Sequence, residues 1–290
     1  MDKIKGTGVA LVTPFNRNKS VDFSALEKLL NHVINGGVNY LVIMGTTGES
    51  ISLSKDEKTE IIDFCKKINN GRLPIVLGIG GNNTNQVLFD IKSINLDGID
   101  ALLSVSPFYN KPTQEGIYHH YKLIAEASPI PVILYNVPGR TSSNINSETT
   151  LRLATDFENI IAIKEASGDL DQIMTIIKNK PANFLVLSGD DALTLPMIYM
   201  GAEGVISVIG QSHPKDFTDM VFNAISGNNN LANQLHYKLY DLYKPLYSEG
   251  NPVGIKACLE LLKICNSDVR LPLVEASTNV KNELKKILNL

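Results

Sequence analysis

Eight short runs of aliphatic and β-branched residues recur along this chain: Val9–Val12, Tyr40–Met44, Ile75–Ile79, Ala101–Val105, Val132–Tyr135, Ile160–Ile163, Phe184–Leu187 and Gly204–Val208. Each reads as a strand buried on both faces, because a half-exposed strand would alternate apolar with polar residues. Their centres lie 20 to 34 residues apart. A gap of that length holds one helix and two short loops, the content of a βα unit. Eight such units predict a parallel sheet wrapped by helices and closed into a (β/α)8 TIM barrel. An open doubly wound sheet is the other arrangement that the same units allow.

The gaps carry helix signals of their own. Leu26, Leu29, Leu30 and Val33 form one apolar face that stops at Gly36-Gly37. Ser54 and Glu57 have the spacing of a capping box and open a helix through Ile61, Ile62 and Cys65. Asp171–Lys178 and Asp191–Met200 fill later gaps. After Gly227 the β-rich runs cease, and three helical stretches follow: Leu231–Leu246, Pro252–Ile264 and Ser277–Leu288. The expected division is a catalytic barrel over 1–227 and a C-terminal three-helix extension over 228–290. Three short helices make a small core alone, so they need the barrel or another subunit as partner.

Composition narrows the function classes. The chain is 43% hydrophobic and 20% charged, with a net charge of −3. That balance offers no electrostatic footprint for nucleic acid or an anionic membrane. No stretch approaches the ~20 apolar residues of a membrane span, and Met1–Lys5 leads into Gly6 without a signal-peptide core, so a cytoplasmic protein is expected. Cys65, Cys258 and Cys265 read as buried small hydrophobes in helices, the last two sharing one helix face by their spacing of seven. His119 and His120 are adjacent and point different ways, and no metal site is expected.

In such a barrel, chemistry sits at the C-terminal strand ends. Lys164 follows Ile160–Ile163 there. An ammonium at the end of a buried strand loses water, which favours the free amine able to attack a carbonyl. The plain alternative is a lysine that caps the strand and reaches solvent. Gly45-Thr46-Thr47-Gly48-Glu49-Ser50 is a tight turn with two hydroxyls and free amides, suited to a small anion; it lacks the Gly-Lys-Ser/Thr ending of a P-loop. Gly78–Gly81 reads as tight packing. Tyr109 and Tyr135 fall at the rim, able to pass protons or simply to close the barrel mouth. Arg140 can clamp a carboxylate or be a surface charge. Asp190 or Asp191 reads as a helix cap, and Glu165 points away from Lys164. A lysine, two tyrosines, two threonines and an arginine at one rim fit imine chemistry on a carbonyl acid: a Schiff-base lyase or synthase without a metal.

Gly45–Glu49, Tyr135–Thr141, Ile163–Gly168 and Ser188–Leu193 resemble the dihydrodipicolinate synthase family, within the pyruvate-dependent class I aldolase and N-acetylneuraminate lyase superfamily. The similarity runs from Gly6 to at least Pro272 and takes in Asn251-Pro252 and Lys256-Ala257. It implies condensation of pyruvate with L-aspartate 4-semialdehyde to 4-hydroxy-tetrahydrodipicolinate, the committed step of diaminopimelate and lysine biosynthesis. Lys164 would form the imine, with no cofactor beyond that covalent link. Thr46, Tyr135 and Tyr109 match a proton relay, Tyr109 coming from a neighbouring subunit. Thr47 would hold the pyruvate carboxylate and Arg140 that of the semialdehyde. Gly189 and Ile206 match positions whose carbonyls line the pocket. A homotetramer, a dimer of dimers, is implied over a plain dimer.

Relatives on the same scaffold, N-acetylneuraminate lyase and keto-deoxy sugar acid aldolases, share the lysine, the turn and the rim tyrosine, whereas Arg140 discriminates. A barrel that binds keto acids without turnover is a third reading. The family's lysine-effector pocket maps to Ser50, Ile51, Lys55, Lys58, Asn82, Gln86 and Phe108. Lys55 and Lys58 replace histidines there, Gln86 a glutamate and Phe108 a tyrosine. Added cations and a lost anion should repel lysine's ammonium groups, so weak or absent feedback is expected.

Overall fold

A computed structural model describes residues 2–290, so Met1, at the head of the expected signal-free start and of the 1–227 barrel, lies outside it. The strands are β1 (Gly6–Ala10), β2 (Tyr40–Ile43), β3 (Ile75–Gly78), β4 (Ala101–Val105), β5 (Val132–Asn136), β6 (Ile160–Glu165), β7 (Leu185–Ser188) and β8 (Gly204–Ser207). They pair in chain order, and β8 returns to β1 through Gly6↔Gly204 and Val9↔Ser207, which closes the barrel and removes the open-sheet alternative. All pairs are parallel.

Around the barrel run α1 (Phe23–Asn35), α2 (Lys55–Asn69), α3 (Thr84–Ser93), α4 (Gln114–Ala127), the single turn α5 (Pro138–Thr141), α6 (Ser147–Asp156), α7 (Leu170–Asn179), α8 (Thr194–Tyr199) and α9 (Pro214–Ile225). Then come α10 (Asn229–Tyr247), α11 (Val253–Leu261) and α12 (Thr278–Ile287). In α1 the Asp22 side chain accepts from the Ala25 amide, and Leu26, Leu29, Leu30 and Val33 are buried as their spacing requires. Burial of each such side chain contributes about 1.5–3 kcal/mol. The Ser54–Glu57 capping box forms in both directions and starts α2.

Outward-facing strand residues join the helices in one large core, while a second, smaller core fills the barrel itself. Tyr40 belongs to the inner core, its hydroxyl donating to the Val205 carbonyl at 2.9 Å. Its ring occupies the space that a side chain at position 8 would need: a Cβ on Gly8 would lie 2.0 Å from Tyr40 Cε2. That is why β1 starts in Gly6-Thr7-Gly8, three residues ahead of the expected run. Between β5 and β6 the register slips, Val132 pairing with Ile160 but Ile133 with Ala162. Ile161 is therefore the extra residue of a bulge, and beyond it Ala162 and Lys164 face inward while Ile163 and Glu165 face out.

Three local expectations change. Cys258 lies in α11 but Cys265 does not, because the helix ends at Leu261 and Lys263 turns with φ +59°; the two share no helix face. All three cysteines are buried and free. The helix expected over Asp191–Met200 begins only at Thr194, since the Asp190 side chain holds the amides of Ala192 and Leu193 in a turn first. Asp191 is no cap but a buried tie, described below.

Candidate active site

Lys164 comes from β6, in register with Tyr135 on β5 and with Leu187 on β7. It is 6% exposed, and its Nζ lies 4.1 Å from the centroid of the Tyr135 ring. Among the described residues it has no carboxylate in contact. The aliphatic stem packs on Gly189: a Cβ there would meet Lys164 Cε at 3.0 Å and Ala166 Cβ at 2.8 Å. Any larger residue at 189 would push the amine out of place. Ile206, on the inner face of β8, belongs to the same inner core as Tyr135.

Glu165, next in sequence, is fully buried on the outer face. It accepts from Asn136 Nδ2, Gln172 Nε2 and the Ser167 amide, tying β5, β6 and α7 together behind the lysine. Burial pushes its carboxyl above the usual range even against these donors. It fixes the strand that carries Lys164 and faces away from the barrel interior.

After β2 the chain makes the short 3-10 turn Thr46–Gly48. Its bonds run from Gly48 N to Gly45 O and from Glu49 N to Thr46 O, which leaves the Thr46 and Thr47 amides outside the turn. Thr47 is buried, and its hydroxyl accepts from Asn251 Nδ2 at 2.9 Å. Thr13 clamps the turn from the β1 side, its hydroxyl donating to the Gly48 carbonyl at 2.7 Å. Thr46 is exposed and makes no hydrogen bond to Tyr135 in the single chain.

Tyr109 is 89% exposed with φ +71°, so the loop after β4 aims its ring away from its own barrel. Arg140, in α5, is exposed and unpaired among the described residues. Of the expected site residues, the single chain thus gathers Lys164, Tyr135, Gly189 and Ile206 inside the barrel end. Thr47 is buried beneath the turn after β2, and Thr46, Tyr109 and Arg140 are open to solvent.

Two sets of buried polar residues escaped the sequence reading. Asp191 accepts from the Tyr247 hydroxyl at 2.6 Å, the Ser207 hydroxyl at 2.7 Å and the Ile209 amide at 2.8 Å. It joins the ends of β7, β8 and α10. Burial raises its carboxyl, and burial with the Asp191 charge lifts the Tyr247 phenol well above its ordinary value. The second set is Lys256 with Glu49, a fully buried lysine in α11 donating at 2.6 Å to the residue that caps the turn. The one sequence signal was a lone cation in the apolar helix Val253–Leu261.

Residues 3–290 match the model of the Dihydrodipicolinate synthetase family. The chain belongs to that family. It is 55% identical over 284 residues to the 4-hydroxy-tetrahydrodipicolinate synthase of Flavobacterium psychrophilum, covering 98% of this chain and 97% of that one. Among solved structures it is similar to the dihydrodipicolinate synthase of Aquifex aeolicus, at 40% identity and a TM-score of 0.95 over 99% of this chain and 97% of that one. It is equally similar in fold to the chloride-inhibited dihydrodipicolinate synthase of Acinetobacter baumannii complexed with pyruvate, at 39% identity, a TM-score of 0.95 and coverage of 99% and 98%. Likeness over nearly the full length of family members includes α10, α11 and α12, so the family scaffold extends beyond the barrel.

Proposed function

We propose that this chain condenses pyruvate with L-aspartate 4-semialdehyde to 4-hydroxy-tetrahydrodipicolinate through an imine on Lys164. The observation that carries this reading is the buried Lys164 amine beside the Tyr135 ring at the end of the barrel, with no ion-pair partner among the described residues. The amine adds to the pyruvate carbonyl, and loss of water gives the imine. Removal of a proton from the adjacent methyl carbon gives the enamine, whose carbon attacks the aldehyde; the semialdehyde's own amine then adds to the imine carbon, closes the ring and displaces the Lys164 amine. Each proton transfer needs a group that both gives and takes a proton, the role assigned to Tyr135 with Thr46 and a partner subunit's copy of Tyr109.

Thr47 and the free amides of its turn are suited to the pyruvate carboxylate, and exposed Arg140 to the carboxylate of the incoming semialdehyde. The outward aim of Tyr109 supports an assembly in which one subunit completes another's relay, as a dimer within a tetramer. No helix of the described residues is long and apolar enough to cross a membrane, and a cytoplasmic setting is part of the proposal. Barrel and extension, 1–227 and 228–290, act as one unit. Turnover of aspartate semialdehyde against sugar aldehydes tests the reading: a clear preference for the semialdehyde supports it, and a preference for a sugar aldehyde overturns it.

Feedback by lysine is proposed to be weak. Ile51 is 89% exposed, and Lys55 sits over the Phe89 ring. Gln86 is engaged with Asp90, and the Asn82 carbonyl accepts from Asn110. Ser50, Lys58 and Phe108 are half-buried nearby in the sequence segments that form this face. Two cations there disfavour a ligand that carries two ammonium groups. Half-inhibition at sub-millimolar lysine in a steady-state assay contradicts this.

A further inference from the structure

The Thr46–Glu49 turn is held chiefly by residues from the C-terminal extension. Lys256, with no exposed surface, donates to Glu49 Oε1 at 2.6 Å and to the Asp268 carbonyl at 2.8 Å. The Arg270 amide donates to Glu49 Oε2 at 2.9 Å. The Lys256 amine and the Arg270 guanidinium both lie on the Phe15 ring, at 4.1 and 4.4 Å from its centroid. Glu49 itself adopts φ +51°, a left-handed conformation that a residue other than glycine keeps only where its surroundings hold it.

A buried ion pair is a poor way to gain stability, since apolar residues of equal volume usually serve as well. What it does supply is one fixed geometry. We propose that Lys256 is a positioning residue for the reaction, acting through Glu49 to fix the Thr46–Thr47 turn so that it meets the keto-acid carboxylate. The proposal rests on the reading of Thr47 as the residue that holds that carboxylate. Asn251 works on the same turn. A hydroxyl that accepts from an amide N–H keeps its own proton to donate, so the Asn251 contact leaves the Thr47 proton for the substrate oxygen. On this reading the helical extension takes part in the active site through the turn it holds.

The test removes both charges together, as Lys256→Met with Glu49→Gln, so that no unpaired charge is left inside. Circular dichroism and thermal melting check the fold. The half-saturating pyruvate concentration is then read from borohydride trapping and from steady-state KM. It should rise about tenfold, the loss of roughly one well-aimed hydrogen bond to a charged group, while the semialdehyde KM stays within about twofold. In a Thr47→Val background the same pair of changes should add nothing to the pyruvate effect. A folded double variant with unchanged pyruvate half-saturation overturns the proposal, as does an undiminished effect in the Thr47→Val background. A loss of active fraction alone lowers turnover without this split, and it too counts against positioning. Should the double variant fail to fold, Lys256→Leu with Glu49→Gln, which likewise leaves no buried charge unpaired, is held to the same outcomes. A wild-type chain that traps no pyruvate at all overturns the functional reading instead, which separates the two failures.

Discussion

Lys164 and Lys256 are both carried inside by elements of otherwise apolar sequence, and they end in opposite surroundings. Lys164 leaves β6 for the barrel interior and finds an aromatic ring but no carboxylate. Lys256 leaves α11, also meets an aromatic ring, and is then gripped by Glu49 and a backbone carbonyl. Burial disfavours the charge of Lys256, lowering its pKa, and Glu49 works the other way. The difference between the two amines is the carboxylate: Glu49 holds the Lys256 amine, and none touches the Lys164 amine among the described residues. One amine is left without an ion-pair partner, as the imine role proposed for it requires, and the other is committed to a contact.

The largest expected effect comes from breaking the reactive side. Lys164→Met should lower turnover by about 10³-fold or more, because no other group can form the imine. Its melting temperature should stay close to that of the parent, since no ion pair is lost. A melting curve and a steady-state assay on the same sample check both halves. Lys256→Met should give the reverse pattern in stability. It strands the Glu49 carboxylate in the interior, at a cost of about 3–5 kcal/mol, and denaturant unfolding should recover most of that loss once Glu49→Gln is added. If the single and double changes cost the same, the pair does not act as a unit.

Arg140→Ala probes the mouth of the site. Truncation of the exposed arginine should raise the KM for the semialdehyde by roughly tenfold, with pyruvate trapping nearly unchanged. Equal losses for both substrates contradict its assignment to the second carboxylate. The smallest effect concerns the outer end of the C-terminal tie, where Arg270 grips Glu57 in two contacts of 2.5 and 2.7 Å. The Arg270 guanidinium, through its hydrogen bonds, holds the Glu57 carboxyl at about 2, below its usual 4.5. A lowered carboxylate stabilises the fold above its ordinary titration range and loses that contribution as pH falls towards about 2. The melting-temperature gap between the wild type and Arg270→Met should therefore be widest near neutrality and narrow as pH is lowered through 4. A gap independent of pH means that the pair contributes by packing alone.

The contrast between the lysines also separates what could be read from sequence from what could not. Lys164 stood out because a cation closes an apolar run, and the eight strands stood out because both their faces are buried. The start of β1 was hidden, since Gly6-Thr7-Gly8 looks nothing like a strand until the Tyr40 ring is seen to require the missing side chain. The bulge at Ile161 leaves no mark in a run that is apolar on either register. Lys256 and Glu49 were hidden for another reason. They are 207 positions apart, and nothing local to either tells which partner it will meet. Asp191 likewise reads as a cap until Tyr247 arrives from the end of α10.

Borohydride reduction with pyruvate, followed by peptide mass analysis, tests the division most directly. Both lysines are buried, and only the one without a carboxylate should react. A single pyruvate-derived adduct on Lys164, with Lys256 unmodified, is the predicted result. An adduct on Lys256, or none on Lys164, would contradict the account.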